Sequence, residues 1–349
     1  MSFSVGIIGL PNVGKSTLFK ALTQQEVDIS NYPFCTINPN VGIVQVPDER
    51  LLKIAEIVQP KKVTPTIIEF VDIAGLVKGA HKGEGLGNQF LSHIREVDAI
   101  LHIVRNFPDK DIKHVGDSIE PQRDIDIVNT ELMMKDLETI ENYWEKIIKE
   151  ARSGNKEQIK EVEILSKIKD GLNKGSLVSS IGLSEKERVL VKHLNFLTSK
   201  PIIYILNIKE SDNVPEVLKS LPQNTLPIDL KIELECTELS PDEIKELNLK
   251  SRLDVLIKTC YKILALITFY TIKGGEEARA WTVKEGAKAH EAGGVVHTDF
   301  KEKFIRAEVI NYTELLKVKS WADARSRGWI KTEGKDYVVK DGDILEFKI

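Results

Sequence analysis

Cysteine is scarce: Cys35, Cys236 and Cys260 are the only three in 349 residues, scattered and without C-x-x-C spacing. An odd, dispersed set excludes a disulfide framework and a cysteine zinc site, and it points to a reducing compartment. Long hydrophobic runs are missing as well. The most apolar late stretch, Ile263–Ile272, covers about ten residues, half of what a bilayer-spanning helix needs. No basic region followed by an apolar core precedes the first strand-like run, so no secretory leader and a cytoplasmic location are expected. Nor does charge of one sign dominate. The 49 basic and 53 acidic side chains leave a net charge of −4, so any RNA contact has to come from a local patch. What remains is an ordinary globular composition, 42% hydrophobic and 29% charged, in a chain long enough for two or three domains. There is no internal repeat and no low-complexity segment.

Residues 1 to about 125 alternate buried strand runs with glycine-rich turns and helical patterns. Phe3–Ile8, Thr66–Val71 and Ala99–Val104 are near-continuous apolar strands of the kind found in parallel sheets covered on both faces. From about Asn129 to Leu197 the character changes to charged stretches with apolar residues at helical spacing. Ile140, Tyr143, Trp144, Ile147 and Ile148 form one such stripe, and Ile159, Val162, Leu165 and Ile168 another. Ser153-Gly154-Asn155 separates them, so the segment is predicted to be a helical hairpin. Its acids and bases nearly balance, which favours a solvated amphipathic pair over an RNA-gripping arm. Strand character resumes at Pro201–Leu206, which makes the hairpin an insertion. A helix is predicted over Ser251–Phe269, and then short strands and turn pairs, Gly293-Gly294 and Asp341-Gly342-Asp343, lead to a closing strand, Ile344–Ile349. The expected division is 1–128 with 201–265, 129–200, and 266–349.

Gly9-Leu10-Pro11-Asn12-Val13-Gly14-Lys15-Ser16-Thr17 follows the first strand and opens a helix. The pattern G-x-x-x-x-G-K-[ST] presents successive backbone N–H groups and a helix N-terminus to phosphates. Lys15 is expected to reach the β- and γ-phosphates and Ser16 to ligate Mg²⁺, with Asn12, Val13, Gly14 and Thr17 completing the cradle. A nucleoside triphosphate is therefore the expected ligand. Asp72-Ile73-Ala74-Gly75 closes a strand at the edge where ligands of parallel sheets bind. An aspartate at a strand end is often only a cap. After a phosphate loop and before a glycine it is expected to hold Mg²⁺, with Gly75 sensing the γ-phosphate. Thr36, in the turn-rich stretch Asn31–Thr36, is the expected second hydroxyl on the metal. Leu76–Gly87 carries four glycines in nine residues, a loop that nucleotide state can order or release. Leu76 stands where Ras-like proteins have the glutamine that orients water. The strand Pro201–Leu206 ends in Asn207-Ile208-Lys209-Glu210, where a GTPase has N-K-x-D. Glu210 is one methylene longer than the guanine-reading aspartate and Ile208 replaces the lysine, which weakens GTP selectivity.

Together these segments resemble the YchF/Obg-like ATPase family, and the resemblance runs along the whole chain. It extends to Arg279-Ala-Trp-Thr282, His297-Thr-Asp-Phe300, Phe304–Val309 and Asp341-Gly-Asp343. It implies a fold of class α/β: a Ras-like P-loop NTPase with a mixed sheet, an inserted coiled-coil-like helical arm and a C-terminal β-grasp-like TGS domain. It implies an Mg²⁺-dependent ATPase that also accepts GTP and associates with the 50S subunit and the 70S ribosome. RNA contact through the TGS domain and arm, a monomeric state and no membrane partner come with it. His114, by itself an ordinary loop histidine, matches the residue proposed to replace the missing glutamine, and Lys15 is the second expected catalytic residue. Asn12 matches the asparagine linked to K⁺ activation in related GTPases, which adds K⁺ as a further ion.

Overall fold

The computed structural model describes residues 3–24, 40–73, 86–108, 118–152, 154–209, 214–318 and 320–349. In chain order the strands are β1 (Ser4–Ile8), β2 (Val41–Gln45), β3 (Lys62–Thr64), β4 (Ile67–Asp72), β5 (Ala99–Arg105) and β6 (Ile202–Asn207). They continue as β7 (Thr225–Ile228), β8 (Leu266–Lys273), β9 (Glu277–Lys284), β10 (Arg306–Asn311), β11 (Lys331–Glu333) and β12 (Asp343–Lys348). The helices are α1 (Lys15–Thr23), α2 (Glu49–Val58), α3 (Leu86–Glu96), α4 (Pro121–Ala151) and α5 (Lys156–Asn173). Then come α6 (Glu185–Val191), α7 (Val214–Leu218), α8 (Leu230–Glu238), α9 (Pro241–Glu246) and α10 (Leu253–Ile263), with short helices between the last strands. Two compact units are formed, Ser4–Gln24 with Phe70–Ser251, and Met1–Phe3 with Gln25–Glu69 and Arg252–Ile349.

In the first unit the strand order is β4-β1-β5-β6-β7. β1, β5, β6 and β7 run parallel, with Val5 opposite Ala99, Ile100 opposite Ile202 and Asn207 opposite Ile228. Every residue of β5 and β6 is buried, which is why their sequences read as near-continuous apolar runs rather than alternating ones. The C-terminal ends of β1, β4 and β6 carry the sequence motifs.

The hairpin is α4 and α5, which close on a core of Ile140, Ile147, Ile164, Leu165, Ile168 and Leu172. α4 has 31 residues, about 46 Å of helix. Its base is fixed by the fully buried Asp136, which accepts from Leu197 N at 2.7 Å, Thr198 N at 2.8 Å and Thr198 Oγ1 at 2.6 Å. Ile159, placed in the apolar stripe by spacing, is 42% exposed.

The second unit has a sheet of order β11-β10-β12-β8-β9-β3. β8 and β9 pair antiparallel from Leu266↔Lys284 to Lys273↔Glu277, while β12 runs parallel to β8 and β3 parallel to β9. The helix expected over Ser251–Phe269 is shorter. It ends at Ile263, Ala265 takes φ 49°, and Leu266 begins β8. The β-branched and aromatic run Ile267–Tyr270 gains four of the eight register pairs of β8 with β9 as a strand, which outweighs its helical spacing. The D-G-D motif is structural. Asp341 accepts from Thr268 N, and Asp343 accepts from Lys340 N and the Tyr337 hydroxyl. Gly342 has φ +88°, and a Cβ there would stand 2.7 Å from the Tyr312 ring.

Candidate functional site

The loop after β1 is shaped by three residues in the left-handed region: Gly9 at φ 152°, Asn12 at φ 62° and Gly14 at φ 107°. A Cβ on Gly9 would lie 2.5 Å from the Ile103 carbonyl oxygen, a backbone atom that cannot move aside. On Gly14 it would lie 2.6 Å from Asn207 Nδ2 and 2.9 Å from Leu230 Cδ1. The two glycines therefore let the loop backbone pass close against β5, Asn207 and Leu230. α1 begins directly at Lys15 with no side-chain cap on its N-terminus, so its first N–H groups are available to an anion. Val13 is buried, whereas Ser16, in the first turn, is exposed.

Lys15 Nζ donates to the carbonyls of Gly9 at 3.2 Å and Leu10 at 2.8 Å, which closes the loop upon itself. Burial holds the Lys15 ammonium below its usual range, against the pull of the Asp72 carboxylate. Burial likewise pushes Asp72 up, and Lys15 opposes it. Each charge offsets part of the other's desolvation. Among the described residues none donates a hydrogen bond to Asp72. His102, in β5, is fully buried with both ring nitrogens unpaired. Burial, aided by Lys15, pushes it down to about 3.

Asn207 joins this cradle to the rest of the sheet edge. Its Nδ2 donates to Val13 O at 2.9 Å, and its Oδ1 accepts from Leu230 N, at the start of α8, at 3.3 Å. The neighbouring Ile208 is half-buried, and its N–H donates to Ile228 O at 3.1 Å. A residue that the sequence motifs do not single out lies beside it. Phe107, two residues beyond β5, has the Arg105 guanidinium 4.8 Å and the Lys209 ammonium 4.9 Å from its ring centre. Arg105 Nε also donates to Phe107 O at 2.8 Å. The signal that could have found it is an aromatic residue at the C-terminal end of a buried parallel strand, in a chain with only 6% aromatics. Thr36, Gly75, Leu76, His114 and Glu210 lie outside the described residues. Of the expected site residues, Asn12 to Thr17, Asp72, Asn207 and Ile208 come together on one edge of one sheet.

The phosphate cradle, the acid beside it and the amide-tethered edge are those of a P-loop NTPase. The family model described as a 50S ribosome-binding GTPase matches residues 4–208, and the model for the YchF-GTPase C-terminal region, a protein of unknown function, matches 266–349. The chain is 47% identical to the ribosome-binding ATPase YchF of Bacillus subtilis, covering 100% of this chain and 99% of that one. It is 44% identical to the ribosome-binding ATPase YchF of Escherichia coli O157:H7, covering 99% of each. The chain belongs to the YchF family. The solved structure of the Schizosaccharomyces pombe YchF GTPase matches at a TM-score of 0.87 and 37% identity, over 99% of this chain and 98% of that one. The α/β fold with its inserted arm and C-terminal sheet is thus the YchF architecture from end to end. Within that architecture the two described cysteines are inert: both are buried, and burial pushes the Cys260 thiol up to about 12. No described helix is long and apolar enough to cross a membrane.

Proposed function

We propose that this chain is an Mg²⁺-dependent ATPase that hydrolyses ATP to ADP and phosphate and associates with the ribosome, as its YchF relatives are named for doing. The observation that carries the nucleotide reading is the Gly9–Thr17 cradle with Lys15 and Asp72 at one sheet edge. Lys15, already stripped of water, exchanges its two loop carbonyls for phosphate oxygens. The N–H groups opening α1 hold the same phosphates in place. Ser16, Thr36 and Asp72 are the residues that would hold Mg²⁺, which would supply charge neutralisation for the phosphates. Gly75 is assigned to the γ-phosphate, and His114, in place of the glutamine that Leu76 replaces, to the attacking water. K⁺ at Asn12 is a further expected ion.

The base is assigned to the edge formed by Phe107, Asn207, Ile208 and Lys209. Asn207 is already engaged by Val13 and Leu230, so it sets the position of the pocket. Phe107 offers a ring face, which any base can stack on, and Glu210 replaces the aspartate that would select guanine. ATP is therefore preferred and GTP accepted. Residues 1–128 with 201–265 are assigned to nucleotide binding, the arm 129–200 and the TGS-like residues 266–349 to the ribosome and its RNA, in a cytoplasmic monomer. Dissociation constants for ATP and GTP, measured side by side with Mg²⁺, test this. A clear preference for GTP would restore the ordinary translation-type GTPase reading. Co-sedimentation with 50S and 70S particles in the apo, ATP-analogue and ADP states tests the switch. Three coincident curves would leave a ribosome-binding module whose affinity ignores nucleotide.

A further inference from the structure

Residues 40–69 join the two phosphate-side motifs, Gly9–Thr17 and Asp72–Gly75, in sequence, yet they belong to the unit built around the C-terminal residues. Three attachments hold them there. α2 places Leu51 and Ile54 in the core with Tyr270, Ala280, Ile310 and Ile344. Arg50 donates from Nε and Nη2 to the two Asp48 oxygens at 2.8 and 2.9 Å, and from Nη1 to Asp341 Oδ2 at 2.6 Å. Its guanidinium also lies 5.7 Å from the ring centres of both Tyr270 and Tyr312. Asp48 caps α2 and accepts from the Tyr270 hydroxyl at 2.5 Å, while Asp341 accepts from Thr268 N at 2.9 Å. Lastly, β3 lies parallel to β9, with Thr64 Oγ1 donating to Glu277 at 2.6 Å and Thr66 Oγ1 2.6 Å from Thr282 Oγ1.

Thr66 leads straight into β4, and that strand ends at Asp72. At about 3.3 Å per residue, the six steps from Thr66 to Asp72 are roughly 20 Å of extended backbone with no turn to absorb a displacement. ATP and ADP differ by the γ-phosphate, the group whose metal Asp72 is assigned to hold. A state-dependent force therefore has its origin at one end of this strand. We propose that β4, with α2 and the Arg50 cluster, is the line through which nucleotide state reaches the C-terminal module, so that the module is a nucleotide-sensing element. The inference rests on the nucleotide reading of the cradle given above.

Hydrogen exchange of the full chain, followed by mass spectrometry, tests it in three states: apo, Mg-ADP and Mg with a non-hydrolysable ATP analogue. Peptides covering Gly9–Thr17 report nucleotide binding. Peptides covering Glu49–Val58 and Tyr337–Asp343 report the module. The expected result is a change of about fivefold or more in exchange between the ATP-analogue and ADP states in both module peptides, the low end of ordinary coupling energies. In Asp341→Asn, which keeps an acceptor for Thr268 N but removes the Arg50 ion pair, that change shrinks while the Gly9–Thr17 protection persists. Protection of Gly9–Thr17 with identical exchange at the module in all states overturns this inference alone. No protection of Gly9–Thr17 in any state overturns the nucleotide reading, and this inference with it. The wild-type comparison decides even if the variant does not fold.

Discussion

Replacing Asn207 by alanine should loosen the phosphate cradle from a distance, because one buried amide serves two elements. The side chain is 5% exposed. Its loss strands the Val13 carbonyl, now 2.9 Å from Nδ2, and the Leu230 N–H, now 3.3 Å from Oδ1. A buried backbone group left without a partner costs about 1–3 kcal/mol, so the two together cost roughly 2–6 kcal/mol. Each kcal/mol lowers the melting temperature of a domain of this size by about 2–4 °C, which gives a fall of roughly 4–24 °C. Affinity should suffer as well, since Gly14 stands against Asn207 Nδ2 and the loop's backbone relaxes into the vacated space. A rise in the ATP dissociation constant of about tenfold corresponds to only 1.4 kcal/mol and is the minimum expected. Thermal unfolding with and without Mg-ATP, and an ATP titration on the same samples, measure both effects. A melting temperature within about 2 °C of wild type would refute the assignment of the two hydrogen bonds. A large fall in melting temperature with unchanged ATP affinity would mean that Asn207 staples the fold without shaping the cradle.

His102 has two buried, unpaired ring nitrogens and is pushed down to about 3. Since its unfolded value is about 6.5, stability is lost as pH falls below that, by about 2 kcal/mol at pH 5. His102→Leu should flatten that slope in urea unfolding at pH 7.5 and 5, and an unchanged slope would refute it. Asp136 behaves oppositely: burial, opposed by three donated hydrogen bonds, holds it up at about 6. Its folded value lies above the unfolded one of about 3.9, so the stability it contributes is full below pH 4 and is lost by about 3 kcal/mol as pH rises through 6. Hydrogen exchange in α4 at pH 4 and 7 should show this in wild type but not in Asp136→Asn. Phe107→Ala should weaken ATP binding by about 5–150-fold, the value of one base–aromatic stack, with Phe107→Tyr close to wild type. Equal dissociation constants for Phe107→Ala and wild type would remove Phe107 from the base pocket.

The phosphate cradle was legible because its chemistry is local: Gly9, Gly14 and Lys15 act through backbone geometry that seven neighbouring residues dictate. The parallel sheet was legible for a related reason, since burial on both faces leaves β5 and β6 mostly apolar. What was hidden depended on partners far away in sequence. Nothing in Leu51 or Ile54 states that α2 is buried against Tyr270 and Ile344. The three residues of β3 are too short a run to announce a strand, and they exist as one because Glu277–Arg279 offers an edge. Ile267–Tyr270 was assigned to a helix because its spacing continues that of α10, and only pairing with β9 reverses it. Phe107 was hidden for a different reason: its role comes from two cations, one of them 102 positions along the chain.

Aspartates show how chemistry separates from structure once partners are visible. In the sequence Asp72 is marked by the phosphate loop before it and the glycine after it, and Asp341 and Asp343 by their turn, while Asp48 and Asp136 carry no signal in their neighbours. In the fold, Asp136 receives three donors, Asp48 receives Arg50 and Tyr270, Asp341 receives Thr268 and Arg50, and Asp343 receives Lys340 and Tyr337. Those four carboxylates have the partners that half-buried acids require, and replacing any of them breaks packing or a cap. Asp72 alone among the five has no hydrogen-bond donor among the described residues, and the charge acting on it is the ammonium of Lys15. A half-buried carboxylate to which none of the described residues donates costs stability, and a perturbed acid of that kind marks a candidate site. The D-G-D pair, equally acidic and equally conspicuous in the sequence, fails this test and holds a turn.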